Sequence, residues 1–475
     1  MLIRHDYGNL YPVTPSSTDI PAADSTYRLA CTEALERALA LAPFYQRWQA
    51  FDPGRSAAHA QRYAALPVLT KRDLRAHMPK GFVPRDHDLK AGLANGSVEI
   101  VATSGTTEDR SSIVWHQPWW DASEQAAATL HAGLETVVRS APREAVLTTP
   151  LCAGSICHIG DLSMKERSLG RLLFLNQKPD PARWTADDMD RMIAELNLFQ
   201  PELIEADPAY LAILCHHAAD RSMPVHQPRF IVLTYEFPSR LHIRQICRAL
   251  PATPVVSSYG STETGHVFTQ CECGSFHQNT ATCHVDFQFL ADPRGGPPEI
   301  GRILVTLLGN PWVALLRFDV GDLVRLAQHP CPCGRTAGLT LAGIEGRTRD
   351  LTFAVDGRAV PVGELDRAVG DLDRLLAYRL EQAGRDEYSF LFVAEAGAED
   401  AVAAAAARAL LRLYGPGGRI TAQRESAIAA GQSGKFRLAQ TLFAWEQETL
   451  FGKTREIQAG TSESCRPPFY PPPED

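Results

Sequence analysis

Short β-rich runs alternate with helical segments through the first half of the chain, and this alternation limits the fold more than any other feature. The β-rich runs are Ser97–Ala102, Ala145–Thr149, Leu203–Glu205, Phe230–Leu233 and Val255–Ser258. The helical patterns are Thr26–Gln49, which is amphipathic, followed by Trp120–Arg139, Ala186–Leu196 and Pro208–Ala219. Strand and helix patterns that alternate in this way are typical of an α/β domain.

The sequence changes character twice beyond Ser258. Strand-rich sequence, broken by Gly, Pro and Asp, continues to about Leu341 and predicts a β-rich subdomain. From about Gly346 the pattern mixes strands and helices, which predicts a small α+β domain. Its predicted elements are a strand-like pair around Leu351–Arg358, helix Val362–Val369, strands Leu376–Gln382 and Tyr388–Ala394, and helix Glu399–Tyr414.

These boundaries divide the chain into two domains and a tail. We expect a large N-terminal domain over residues 1–345 and a small C-terminal domain over residues 346–452. Residues 453–475 end in PPFYPPPED, which has too much Pro and too little apolar periodicity to pack. We expect this tail to be disordered or extended.

Charge and hydropathy exclude several classes of partner. The 475 residues are 45% hydrophobic and carry a formal charge of −8, which offers no general footprint for nucleic acid. No apolar stretch approaches the roughly 20 residues of a membrane span, and the first residues lack the apolar region of a signal peptide. We expect a cytoplasmic protein without nucleic-acid or membrane partners, for which a homodimer remains open.

Three stretches have residue types suited to nucleotide chemistry. Val101–Arg110, VATSGTTEDR, groups hydroxyls around a glycine and can present them with backbone N–H groups to phosphate, although a solvated Ser/Thr loop has the same composition. Ser257–Gly265, SSYGSTETG, places Glu263 beside hydroxyls, as a Mg²⁺ bridge to phosphate requires, although an ordinary turn explains it too. Asp322, in RFDVGDLVRL, could accept both ribose hydroxyls or be a simple turn residue.

Two cysteine pairs form a candidate metal site. Cys271 and Cys273 lie in one Cys-x-Cys-Gly knuckle, Cys331 and Cys333 lie in a second, and His277 follows the first. Two such knuckles fit a tetrahedral zinc site with a structural role, because four protein ligands leave no open position. The five candidates exceed the four positions, and free turn cysteines are the alternative.

Together these stretches, in this order, resemble the adenylate-forming superfamily, and more closely its phenylacetate–CoA ligase-like branch. The resemblance covers roughly Ala42 to Gln440 and includes APFYQRW, LPVLTKRDLR, FQPELIEADPAYLAIL, IVLTYEFPSRLHIRQIC, PCPCGRT, IEGRTRDL, DGRAVPVGELDRAV and SGKFRLAQ. It implies an α/β fold with a large multi-subdomain N-terminal adenylation domain, which contains a β-rich subdomain, and a small mobile α+β C-terminal domain. Members of this branch often carry a zinc site with three cysteines and one histidine.

The resemblance also implies roles for individual residues. The loop that would hold the ATP phosphates is Thr103, Ser104, Gly105, Thr106 and Thr107. The next motif contains Tyr259, Gly260 and Ser261. Of these, Tyr259 and Gly260 would line the adenine. Thr262 would lie near the α-phosphate and Glu263 would bind Mg²⁺.

The ribose and the reacting groups are assigned in the same way. Asp322 would bind the ribose hydroxyls, helped by Arg347, and Lys435 would bridge the carboxylate and the α-phosphate. Attack of a carboxylate on a phosphate brings anions together, so a lysine on a mobile domain suits this step.

Two departures from the family pattern affect the prediction. Glu108–Arg110 stands where the family has a glycine and, a few residues on, a lysine, and two acids beside a polyphosphate would repel it unless they point to solvent. Arg349 stands at the pivot position, which is usually Asp or Lys, with Asp350 after it. Domain rotation is still expected, at an unusual hinge.

The expected function is an acid–thiol ligase that uses ATP and Mg²⁺. It would activate a small carboxylic acid, aromatic by analogy, as an acyl-adenylate and transfer the acyl group to a thiol, for which we expect CoA. One alternative is adenylation for a natural-product pathway, with a carrier-protein pantetheine arm, an amine or no acceptor. Another is a catalytically impaired nucleotide-binding protein.

Overall fold

The computed structural model describes residues 20–102, 111–148, 160–178, 180–291, 299–431 and 435–451. Three predictions lie outside the described residues: the phosphate loop Thr103–Thr107, the departure at Glu108–Arg110, and the tail over residues 453–475.

Helices come first in the described chain, and from Glu99 to Ser261 strands and helices alternate singly or in short groups, as predicted. The helices of the described ranges are α1 (Ile20–Leu41), α2 (His59–Ala65), α3 (Lys71–His77), α4 (Leu89–Ala94), α5 (Gln117–Ala128), α6 (Ala132–Arg139), α7 (Ala186–Phe199), α8 (Pro208–Asp220), α9 (Arg240–Ala249), α10 (Val362–Val369) and α11 (Glu399–Tyr414). Short 3₁₀ helices lie at Pro43–Phe51, Pro181–Arg183, Thr348–Asp350 and Glu448–Leu450.

Five strands of the first half match the five predicted β-rich runs to within a few residues, and three further strands were not predicted. The strands of this half are β1 (Glu99–Ala102), β2 (Ser112–Trp115), β3 (Glu144–Leu147), β4 (Ser168–Leu169), β5 (Leu172–Phe174), β6 (Leu203–Ala206), β7 (Phe230–Leu233) and β8 (Val255–Ser261).

The strands of the second half are longer on average. They are β9 (Gly265–Gln270), β10 (Phe276–Gln278), β11 (Cys283–Phe289), β12 (Ile300–Leu307), β13 (Phe318–Leu326), β14 (Thr340–Arg347), β15 (Thr352–Phe353), β16 (Ala359–Val360), β17 (Leu375–Gly384), β18 (Glu387–Ala394), β19 (Arg419–Arg424) and β20 (Ala439–Thr441).

One sheet runs through the whole large domain. Its strand order is β11-β12-β13-β14-β10-β9-β8-β7-β6-β3-β5-β4. Strands β5, β3, β6, β7 and β8 are parallel, whereas β8 to β14 pair antiparallel, which confirms an α/β part followed by a β-rich subdomain. Strand β8 belongs to both parts and therefore joins them.

Two predicted helices are wrong in extent. The α-helix predicted from Thr26 to Gln49 ends at Leu41, and a 3₁₀ helix follows. Pro43 explains this end, because it lacks an N–H and pushes Ala42 into the extended conformation, at φ −86° and ψ 122°. The segment Trp120–Arg139 forms two helices, α5 and α6, rather than one.

Helix α7 shows how local sequence and burial act together. Thr185 and Asp188 form a reciprocal capping box at its N-terminus, and Met192, Ile193 and Leu196 face the core behind the parallel strands. Leu198, by contrast, is 75% exposed. The helix is therefore held by its buried face rather than by its outer side chains.

The small domain contains a four-stranded sheet in the order β19-β18-β17-β20, covered by α10 and α11. Its core continues into the large domain, since Leu241 of α9 packs in the same cluster. The Arg240 N–H donates to Asp366 at 2.8 Å, and Gln245 donates to the carbonyl of Leu376 at 3.1 Å. Helix α9 is therefore the platform on which the small domain rests.

The end of the described chain returns to the large domain. Phe451 forms an isolated bridge with Leu290, directly after β11, and the Arg302 guanidinium lies 4.3 Å from the centre of the Phe451 ring. Among the helices within the described ranges, none is both long and apolar enough for a membrane span.

Two leucines of α7 test the packing account. Leu196→Ala removes a fully buried side chain and leaves a cavity, so we expect a loss of about 2–5 kcal/mol in the free energy of unfolding. Leu198→Ala, on the same helix but exposed, should change it by less than about 0.5 kcal/mol. Urea unfolding of both variants measures this, and similar losses in the two would contradict it.

Candidate functional site

A cleft of about 620 Å³ lies where the two parts of the large sheet meet and the small domain closes over them. Strands β7 and β8 end at it, and the residues that follow β7 form part of its wall. It collects eight predicted site residues from distant parts of the chain: Tyr259, Gly260, Ser261, Thr262, Glu263, Asp322, Arg347 and Lys435. Ligands of α/β proteins bind at this kind of position, beyond the carboxyl ends of parallel strands.

The hairpin between β8 and β9 carries five of these residues and needs two glycines. Gly265 has φ +69°, and a Cβ there would lie 2.8 Å from the Ser123 hydroxyl oxygen. A Cβ on Gly260 would lie 2.2 Å from the Gly265 carbonyl oxygen. Only glycines allow this close approach, which places the buried Glu263 at the tip of the hairpin and in the cleft wall.

Tyr259, Asp322 and Arg347 form a connected polar group. Asp322 on β13 lies opposite Arg347 on β14, and the Asp322 carboxylate is 3.7 Å from the Arg347 Nε. The Tyr259 hydroxyl donates to the other Asp322 carboxylate oxygen at 2.7 Å. Burial and the Asp322 charge raise the pKa of Tyr259 well above its ordinary value, so its hydroxyl keeps its proton. A carboxylate has about four acceptor positions, so Asp322 retains capacity for two ligand hydroxyls.

Lys435 enters the cleft from the small domain. Its ammonium group donates to the Tyr235 carbonyl oxygen at 2.8 Å, and the N–H of Phe436 lies 3.1 and 3.2 Å from the two carboxyl oxygens of Glu236. Tyr235 has φ +74°, a conformation that is uncommon for a residue other than glycine. The lysine is thus held against the loop that follows β7.

Sequence reasoning assigned no role to the acids that surround this lysine. Glu205 lies in β6, Asp207 caps α8 directly after it, and Glu236 follows β7. Burial raises the pKa of Asp207 to about 7, against the lowering effect of the Lys435 charge. Each acid lies at or just beyond the end of a buried β-run, in IEAD and VLTYE, and that was the available signal.

Aromatic side chains line another side of the cleft. The ring centres of Trp115 and Trp120 are 4.2 Å apart, and those of Trp120 and His266 are 5.2 Å apart. The Ser258 hydroxyl lies 3.3 Å from the Nδ1 atom of His266. This wall combines flat apolar surface with a small polar group.

The strands that flank the phosphate-loop prediction also reach the cleft. Strands β1 and β2 pair antiparallel, with Ala102 opposite Ser112, and Glu99 and Val101 line the cleft. The loop itself, Thr103–Thr107, lies outside the described residues.

The residues at the predicted hinge contact a later segment of the small domain. Asp350 is buried and accepts from the Arg437 guanidinium at 2.8 and 2.5 Å. The Arg349 Nε lies farther from Asp350, at 3.9 Å, and its side chain is 48% exposed. Asp350, rather than Arg349, therefore fixes the start of the small domain in this arrangement.

Four of the five candidate metal ligands lie together within the β-rich subdomain. The ligand atoms of Cys271, His277, Cys331 and Cys333 all lie within 4.8 Å of one another. Cys273 is exposed and does not belong to this group. The pairing of β9, β10 and β14 brings His277 onto the same sheet, with its Nδ1 atom 3.4 Å from the Thr340 hydroxyl.

The spacing of these four ligand atoms fits a tetrahedral zinc ion. The Cys271 and Cys331 sulfurs are 3.6 Å apart, and the Cys333 sulfur is 3.2 Å from the His277 Nε2. With zinc–sulfur bonds of about 2.3 Å, tetrahedral geometry places two sulfurs about 3.8 Å apart. The donor set and its spacing therefore suit zinc with no open coordination position.

Cysteine variants test this site without an activity assay. Cys331→Ser removes one of the four converging ligands, so the purified protein should lose most of its zinc and melt at a lower temperature. Cys273→Ser, which removes the cysteine outside the group, should retain both. Elemental analysis and thermal unfolding measure the two effects, and equal zinc loss from both variants would contradict the four-ligand assignment.

Comparison with known proteins supports the fold. No family model matches the chain, and no curated protein was found to match it. Among solved structures, the chain is similar to a 2-hydroxyisobutyryl-CoA ligase in the postadenylation state with its acyl-AMP, at TM-score 0.68 and 18% identity over 94% of this chain and 96% of that one.

The same ligase in other states matches less well. The TM-score is 0.56 for its open conformation, at 17% identity over 93% and 97% of the two chains. It is 0.52 for its thioesterification state, at 18% identity over 92% and 94%. The chain therefore shares the fold of this ligase, with a large N-terminal and a small C-terminal domain.

Proposed function

We propose that this protein uses ATP and Mg²⁺ to activate a small carboxylic acid as an acyl-adenylate and then transfers the acyl group to CoA. The observation that carries the proposal is the meeting of Glu263, Asp322, Arg347 and Lys435 in one cleft. These residues come from a hairpin, two strands and the small domain, so a purely structural requirement for all four is hard to find.

The cleft supplies contacts for each part of the nucleotide. Tyr259 and Gly260 offer a surface for the adenine, and Asp322 accepts the ribose hydroxyls while Tyr259 and Arg347 orient its carboxylate. Thr262 lies beside Glu263 in the hairpin turn, where the α-phosphate would be reached. Ser261, which supports the turn, lies with its hydroxyl 2.9 Å from that of Thr264.

The first step joins two anions. A carboxylate oxygen attacks the α-phosphorus, the bond to pyrophosphate breaks, and the mixed anhydride forms. Lys435 places a cation where this negative charge accumulates. Glu263 would hold Mg²⁺, which neutralises phosphate charge when bound. In this proposal the loop Thr103–Thr107 would hold the ATP phosphates.

The second step transfers the acyl group. The sulfur of the CoA thiolate attacks the acyl carbon and AMP leaves. Rotation of the small domain about the Arg349–Asp350 segment would withdraw Lys435 and open a path for the thiol. The similarity of the fold to that of a CoA ligase supports this step.

The aromatic wall of the cleft supports a proposal for the substrate class. Trp115, Trp120 and His266 pack on one another and line the cleft, where a substrate ring could pack against them, so we propose an aromatic acid. This agrees with the proposed place in the phenylacetate–CoA ligase-like branch.

The bound zinc would be structural, since its four ligands would hold together the strands and the loop behind the hairpin.

Pyrophosphate release with a panel of aromatic and short aliphatic acids tests the proposal. With Mg²⁺-ATP, at least one acid should give release, and aromatic acids should exceed aliphatic ones. Lys435→Ala should lower the rate at least about a hundredfold, because it removes the cation that stabilises the transition state. Lys90→Ala, an exposed lysine on α4, is the matched control and should leave the rate unchanged.

The acceptor and the alternatives are read from the same assay. Acyl-CoA formed in step with AMP supports the CoA ligase. Acid-dependent pyrophosphate release that CoA does not alter would point instead to a carrier-protein arm, an amine or no acceptor. ATP binding without release for any acid would favour a catalytically impaired nucleotide-binding protein.

A further inference from the structure

The segment that carries Lys435 has a second contact, beside the one made by the lysine itself. The Phe436 N–H points at the Glu236 carboxyl group and lies within hydrogen-bond distance of both its oxygens, at 3.1 and 3.2 Å. The next residue, Arg437, is tied to Asp350 near the domain boundary. Three consecutive residues of the small domain are therefore held by the large domain and the boundary segment.

Glu236 is placed where a carboxyl group needs a cation. Burial, and then repulsion by Asp207, raise its pKa well above the ordinary value, whereas Lys435, the Phe436 N–H and Arg347 act in the opposite direction. Withdrawal of the Lys435 segment would leave two neighbouring acids without their nearest cation. Docking of the segment therefore lowers the pKa of both acids relative to the undocked arrangement, and their ionised forms favour docking.

The loop of Glu236 is itself braced. The Tyr235 hydroxyl donates to Glu205 in β6, while the Tyr235 carbonyl accepts from Lys435. Tyr235 has an uncommon positive φ, which turns the loop at this point. The Tyr235 carbonyl and the Glu236 side chain then both face the small domain. Strain of this kind persists only where surrounding contacts enforce it.

We propose that Glu236 is a positioning residue that docks the small domain for the first reaction step, by receiving the Phe436 N–H and so placing Lys435 in the cleft. The inference rests on the proposed function for the chemistry of Lys435, but the docking itself is independent of it. Glu236 acts through Lys435 and need not contact the substrate.

Chemical labelling of Lys435 tests the docking without any substrate. The full-length protein is treated briefly with the N-hydroxysuccinimide ester of acetate, and acetylation of each lysine is measured by mass spectrometry. Glu236→Ala should raise the labelling rate of Lys435 by at least about fivefold, the effect of losing one hydrogen bond on a two-state equilibrium. Labelling of the exposed Lys90 is the internal reference and should not change.

Two further variants separate docking from general damage. Glu202→Ala removes a carboxylate of the large domain that pairs with Arg229 at the surface, and it should leave Lys435 labelling unchanged. Glu236→Gln keeps one oxygen acceptor and should give a smaller increase than Glu236→Ala. Unchanged Lys435 labelling in both folded Glu236 variants would overturn the proposal, and so would equal increases at all lysines.

Separate half-reactions distinguish this inference from the proposed function. Glu236→Ala should slow pyrophosphate release at least about tenfold, while acyl-CoA formation from a supplied benzoyl-adenylate changes by less than about twofold. Equal loss in both half-reactions would contradict a role in the first step. If the wild type releases no pyrophosphate but Lys435 is protected through Glu236, the proposed function fails and the docking stands.

Discussion

The close contact between Gly260 and Gly265 is the constraint on which the rest of the cleft depends. Strand β8 pairs with β7 on one side and β9 on the other, so it connects the parallel and antiparallel parts of the sheet. Its end can turn back into β9 only if no Cβ intervenes. This turn places Tyr259 within hydrogen-bond distance of Asp322 and brings Glu263 into the cleft wall.

The charged groups of the cleft come from both domains. Arg347 and Asp322 are partners on the large sheet, whereas Lys435 comes from the small domain and lies near Asp207 and Glu236. The acids that receive the lysine lie at or just beyond the ends of β6 and β7, which are rigid parts of the sheet. The large domain therefore carries the acids, and the small domain carries the cation that the proposed first step requires.

The sequence predicted the helices and strands better than the tertiary contacts between them. Strand Phe230–Leu233 and helices Val362–Val369 and Glu399–Tyr414 have the predicted bounds, because their apolar periodicity and their packing agree. The first predicted helix was too long because Pro43 ends the α-helix before its predicted C-terminus. Periodicity over a long window hides a single residue that changes the backbone.

The candidate site shows the same division. Residues in recognisable motifs, such as Glu263 and Asp322, were found from sequence and lie in one cleft. Asp207 and Glu236 lie in two segments that carry the resemblance, but sequence reasoning assigned them no role, because their proximity to Lys435 is a tertiary contact that no spacing in the chain records. In the same way, only the fold distinguishes the exposed Cys273 from the four converging ligands.

The most direct test of the account is the binding of ATP, measured by calorimetry with Mg²⁺ for the wild type, Asp322→Asn and the exposed-site control Asp187→Asn. If the cleft holds the nucleotide as described, the wild type and the control bind alike. Asp322→Asn should bind at least about tenfold more weakly, because it loses a charged acceptor for the ribose hydroxyls. Equal ATP affinity in all three proteins, or no binding by the wild type, would contradict the nucleotide site.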